Sequence, residues 1–166
     1  LVKNIRKYDN NKANYVSTFS GDYEDETDVG KDIRMLEAMF HVSAPTQIYK
    51  HWLNAILDYV YINDISNPKI FRDKLYMLAC TYMTDVYLAE ERRDFEVIIY
   101  KNDFKATHRT INWDNIDQGC DVPNFVFNFY DYITWRQNAG RYPKFEFTYR
   151  TSVEHYILIF PVDDGH

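Results

Sequence analysis

The stretch "NPKIFRDKLYMLACTYMTDVYLAEE", residues 67–91, decides the fold class. Asn67 is a good N-cap, and Pro68 suits the first helical position, where no backbone donor is needed. Phe71, Leu75, Leu78, Tyr82 and Val86 then recur at helical spacing. The pattern predicts one helix of about 24 residues, with one apolar face and a polar remainder.

The same period appears on both sides. Ile33, Leu36 and Phe40 mark a helix over 31–41, which Val42 to Pro45 breaks. Ile48, Trp52, Ala55, Ile56, Tyr59 and Val60 give a wide apolar face over 46–61. A fourth helix starts at Asp121, with Pro123 in its first turn and Phe125, Phe129, Tyr132, Ile133 and Arg136 on one side. It ends at "NAG", where Gly140 is expected in the left-handed C-cap conformation. The expected fold is therefore mainly α, a bundle of about four main helices. Minor extended segments are expected near 95–100, where Val97, Ile98, Ile99 and Tyr100 are β-branched or aromatic, and over 144–154.

The helical region, 31–140, is flanked by a polar, acidic segment over 1–30 and by a C-terminal piece over 141–166. "YDNNKANY" reads as a turn. Residues 21–32 carry six acidic side chains and read as a solvated loop; their spacing is not that of a calcium loop. Arg92, Arg93, Lys101, Lys105 and Arg109 are interrupted by Asp94, Glu96 and Asp103, and also read as a solvated face.

Composition narrows the function. The chain has 166 residues, 46% hydrophobic and 17% aromatic, which supports a packed core. The net charge is −6, so the surface alone is a poor match for nucleic acid. Cys80 and Cys120 lack metal-site spacing and read as reduced thiols of a cytoplasmic protein. No apolar run reaches the ~20 residues that cross a membrane, and no signal peptide is visible. With 5 Gly and no phosphate loop, a nucleotide fold is hard to build, and no Ser lies in a nucleophile elbow. His41 and His51 flank a helix break as surface or capping residues, and His108 in "KATHRT" has no obvious partner. The Tyr and Trp residues on helices read first as core. The opening Leu1, without Met, suggests a piece of a longer parent.

One pair stands out. In "FEFTYRTSVEHYILIF", 145–160, an alternating strand leads into Glu154-His155. A histidine at a strand end can deprotonate a water for attack on phosphorus, and a neighbouring carboxylate can hold the metal that stabilises the leaving oxygen. Adjacent strand positions face opposite ways, so the two serve one site only if the strand ends or bulges there.

Three segments together, "IRMLEAMFHVSAPTQIYKHWLNAILDYV" (33–60), "VPNFVFNFYDYITW" (122–135) and "FEFTYRTSVEHY" (145–156), resemble the middle and C-terminal parts of GmrSD-like restriction proteins. These are bacterial anti-phage enzymes, often aimed at DNA with modified bases. The resemblance implies an N-terminal ParB/sulfiredoxin-like nucleotide-hydrolysing domain, a helical region and a C-terminal HNH nuclease using a divalent metal, Mg or Mn. By it, His155 matches the general base, and Glu154 the acidic residue before it and a metal ligand. DNA would then be a partner of the complete parent, with homo-oligomerisation open and no membrane contact. The family's Pro-Gln after the Glu-His is replaced by "YILIFPVDDGH", and its metal-side helix is absent, so this chain is expected not to cleave DNA by itself. Asp163, Asp164 and His166 would lack a helix scaffold to stand in. The rival reading is a non-enzymatic helical interaction module.

Overall fold

The computed structural model describes residues 5–9, 12–16, 26–44, 51–63, 65, 67–101, 103–107, 109–141, 145 and 147. Two strands, β1 (Ile5–Asp9) and β2 (Lys12–Val16), pair antiparallel from Ile5↔Val16 to Asp9↔Lys12. Of the stretch "YDNNKANY", expected to be a turn, residues 8–9 and 12–15 belong to these strands, and residues 10 and 11 lie outside the described residues. The rest is helical: α1 (Glu26–Ser43), α2 (His51–Ile62), α3 (Pro68–Thr81), α4 (Phe95–Tyr100) and α5 (Asn124–Gln137). A π-helical segment, Tyr82–Tyr87, continues α3, and two 3-10 turns, Trp113–Asn115 and Gly119–Asp121, precede α5. The mainly α bundle expected from the apolar periods is the fold observed. Among the described residues, no helix is long and apolar enough to cross a membrane.

α3 starts as its sequence dictates. The Asn67 side chain accepts a hydrogen bond from the Lys69 N–H at 2.9 Å, with Pro68 in the first turn. The α-helix does not run on to Glu91, however. Thr81 and Thr84 donate their hydroxyls back to the Met77 and Cys80 carbonyls at 2.9 and 3.0 Å, a pattern that bends helices. The ladder then widens, and the Leu88 N–H bonds Met83 O, five residues back. The chain leaves the helix there, and Ala89 bridges to Ile111.

Three further expectations are corrected. Residues 95–100 form a helix, not a strand. The Asp94 side chain caps it by accepting from the Glu96 N–H at 2.8 Å, and Ile98 and Ile99 are buried in the core. The local cap and tertiary burial override β-branched propensity. α1 begins at Glu26 because the apolar stripe extends one turn earlier, to Val29, which is buried. The acidic run is therefore only partly a solvated loop, and its Asp32 is itself buried. The left-handed glycine is Gly119, at φ 57°, and not Gly140. α5 closes instead on Asn138, whose N–H bonds Trp135 O. Of the extended segment expected over 144–154, only Phe145, which is buried, and Phe147, packed edge-on to it at 5.2 Å, are described.

α1 packs against α3 and α5, and α2 against α4 and α3. Their shared core holds Ile33, Leu36, Phe40, Ile56, Leu75 and Leu78, all at most 1% exposed. Each such side chain contributes about 1.5–3 kcal/mol on burial. Phe125, Phe129, Tyr132 and Trp135 stack in series along α5, with successive centroids 5.8, 6.2 and 6.0 Å apart. His51 stacks on Phe95, and Tyr59 meets Phe104, so α4 and the residues after it run alongside α2 in the same direction.

Candidate functional site

The π-helical segment organises the densest chemistry among the described residues. Five residues apart on a regular α-helix, Tyr82 and Tyr87 would diverge by well over a quarter turn. On the widened ladder both reach Phe125, at 6.1 and 4.9 Å, and both reach Phe95, at 4.9 and 6.3 Å. With Phe40, Ser43, His51 and Trp52 they surround a small cavity of about 20 Å³. Trp52 stacks on Phe40 at 5.1 Å, and Tyr82 meets Phe40 edge-on at 6.1 Å. The Trp52 Nε1 and the Tyr82 hydroxyl are buried with no hydrogen-bond partner among the described residues. Burial, reinforced by neighbouring Tyr87, holds the Tyr82 hydroxyl neutral far above its ordinary range.

The outer side of the same segment carries a buried ion network. Asp85 is fully buried. Its carboxylate accepts from Thr84 Oγ1 at 2.8 Å, from Thr107 N at 2.9 Å and from Thr107 Oγ1 at 2.8 Å. Arg93 Nη1 lies 3.4 Å from it. Arg93 also binds Asp103 at 2.6 Å and the Lys105 carbonyl at 3.2 Å. Burial pushes the Asp85 carboxyl up, but the hydrogen bonds from Thr84, Thr107 and Arg93 outweigh it and hold it below the ordinary value. Arg93 is thus an interior anchor, which corrects the reading of 92–109 as a plain solvated face. The reason is local: Asp85 accepts charge-assisted bonds that a solvated arginine would not make.

A second network joins three helices. Asp32 on α1 accepts the Tyr132 hydroxyl of α5 at 2.5 Å. Arg72 of α3 and Arg136 of α5 each approach it at 3.5 Å. Arg136 also lies over the Tyr76 ring, at 4.7 Å. Burial and the Asp32 carboxylate both push the Tyr132 hydroxyl upward. A third carboxyl, Asp131 on α5, has a buried oxygen without a partner among the described residues, and burial pushes it up to about 6.

Sequence reasoning passed over Asp32 and Asp85, although each gave a signal. Asp32 follows Val29 by three and precedes Leu36 by four, and Asp85 follows Leu78 by seven and Tyr82 by three. A charged residue on an apolar stripe is the informative exception to burial rules. Glu154 and His155, the residues predicted for catalysis and metal, lie outside the described residues, as does His108. His51 is stacked on Phe95, and His41 is exposed in the last turn of α1. Burial raises the Cys80 thiol against a lowering hydrogen bond with Tyr76, while Cys120 is exposed. Among the described residues, no three His, Cys, Asp or Glu side chains group so as to hold a metal ion.

Compared with protein-family models, with curated proteins and with solved structures, the chain finds no match.

Proposed function

We propose that this chain is the helical connecting region of a GmrSD-like, modification-dependent DNA restriction endonuclease. In the whole protein His155 acts as the general base, and Glu154 beside it offers a carboxylate oxygen of the kind Mg or Mn takes. The helical body couples nucleotide hydrolysis to nuclease engagement and does not itself carry the cleavage chemistry. The observation that supports this reading is how the buried acids are used. Asp32 and Asp85 are both engaged in ion pairs between elements of the fold. The resemblance segments 33–60 and 122–135 contribute α1, α2 and α5 to one shared core, as a connecting region requires. Cleavage of modified and unmodified DNA by the parent protein, with Mg²⁺ or Mn²⁺, tests it. The parent cleaves, its His155→Ala variant does not, and the 166-residue chain alone is inactive. Undiminished cleavage by His155→Ala, or cleavage by the chain alone, overturns the assignment.

A second reading, a helical interaction module that includes self-association, is favoured by exposed apolar side chains. Tyr61 is 90% and Ile62 62% exposed at the end of α2, and Tyr100 is 75% exposed on the adjacent α4. Sedimentation of the chain with and without Tyr61→Ser and Ile62→Ser distinguishes it. An oligomer that dissociates in the variants supports this reading, and a monomer throughout rejects self-association.

A further inference from the structure

We propose that the aromatic cavity binds one ordered water molecule, held between the Trp52 Nε1–H and the Tyr82 hydroxyl. Both side chains are more than nine-tenths buried, at 6% and 3% exposure. Both polar atoms lack a partner among the described residues, and both rings pack on Phe40 at the same cavity. Two orphaned groups on one small cavity are unusual, because buried polar atoms are nearly always hydrogen-bonded. The cavity, about 20 Å³, exceeds the roughly 10–15 Å³ that one water needs.

The donor inventory fits water. An indole N–H only donates, whereas a phenol hydroxyl donates or accepts. A water oxygen accepts from Trp52 and exchanges a second bond with Tyr82. Ser43 Oγ, also on the lining, donates to Met39 O at 2.6 Å and accepts from Asn128 at 2.9 Å. It keeps one lone pair that can accept from the water. Apart from the stacked His51, the described residues of the lining carry no ionisable group but the two tyrosines, so an ion finds no counter-charge among them. The water pins the π-helical segment to α2 and explains why a widened turn carrying a polar tip is tolerated inside an aromatic core.

Two measurements test this. A high-resolution crystal structure of the unaltered protein should show a solvent peak within hydrogen-bond distance of both Trp52 Nε1 and Tyr82 Oη. A dry cavity, or a peak touching only one of them, overturns the proposal. Magnetic relaxation dispersion of water counts long-lived internal molecules. Trp52→Phe and Tyr82→Phe should each lose one, and the double variant should lose the same single molecule. Loss of two in the double variant, or of none, contradicts a shared water.

Discussion

Asp85 and Asp32 are both buried carboxylates, yet they are held in different ways. Asp85 is satisfied locally, by partners between Thr84 and Thr107. It has no exposure, and four donor groups converge on it. Asp32 is satisfied at long range, by Arg72, Tyr132 and Arg136 from two other helices. Its arginines are partly exposed, at 21% and 36%. The first network fixes how the chain leaves the π-helical segment and folds back. The second fixes how α1, α3 and α5 sit together. The difference predicts unequal costs, because a charge stranded in the interior is penalised far more than one that water can reach.

Asp85→Ala should be the most damaging change. It leaves the buried Arg93 with one carboxylate partner, the half-exposed Asp103, and frees Thr107, at a cost of about 3–5 kcal/mol in urea unfolding. Asp32→Ala should cost about 2 kcal/mol, since Arg72 and Arg136 can turn toward solvent while the Tyr132 hydroxyl is left unpaired. If the two losses are equal, the distinction between local and long-range networks fails.

Acid sharpens the contrast. The Asp85 carboxyl is depressed in the folded chain, so its contribution is present above the unfolded value of about 3.9 and is lost as pH falls through the lower folded value. Asp131 runs the other way. Its folded carboxyl is raised to about 6, so the native state binds the extra proton and stability declines as pH rises from about 4 to 6. Asp131→Asn should therefore stabilise by about 1 kcal/mol at pH 7, with the gain vanishing below about pH 4. Thermal melts across that range check both signs. A gain that persists at pH 3 would show that the charge of Asp131 is not its source.

Much of this fold was legible in the sequence, for physical reasons that also explain the misses. Phe71, Leu75 and Leu78 face one core, so their spacing predicts α3; Phe125, Phe129 and Tyr132 do the same for α5. Ile98 and Ile99 misled because β-branched side chains suit any buried surface, and the Asp94 cap decided for a helix. At the π-helical segment Thr81 and Thr84 bond backwards to Met77 and Cys80, and the widened ladder that follows is not encoded in apolar spacing. The aromatic cavity draws Phe40, Trp52, Tyr82 and Phe125 from four separate segments, so no local motif could announce it. Glu154 and His155 were selected by adjacency and resemblance, and the described residues do not include them.

The proposed function divides the helical scaffold from cleavage chemistry at His155, and one measurement tests that division most directly. DNA cleavage and melting temperature are to be measured together on the parent protein with Asp85→Asn or with His155→Ala. On the proposed function, Asp85→Asn loses activity only in step with its loss of folded protein, and His155→Ala abolishes cleavage at an unchanged melting temperature. Full cleavage by His155→Ala, or cleavage lost by a fully folded Asp85→Asn protein, would contradict it.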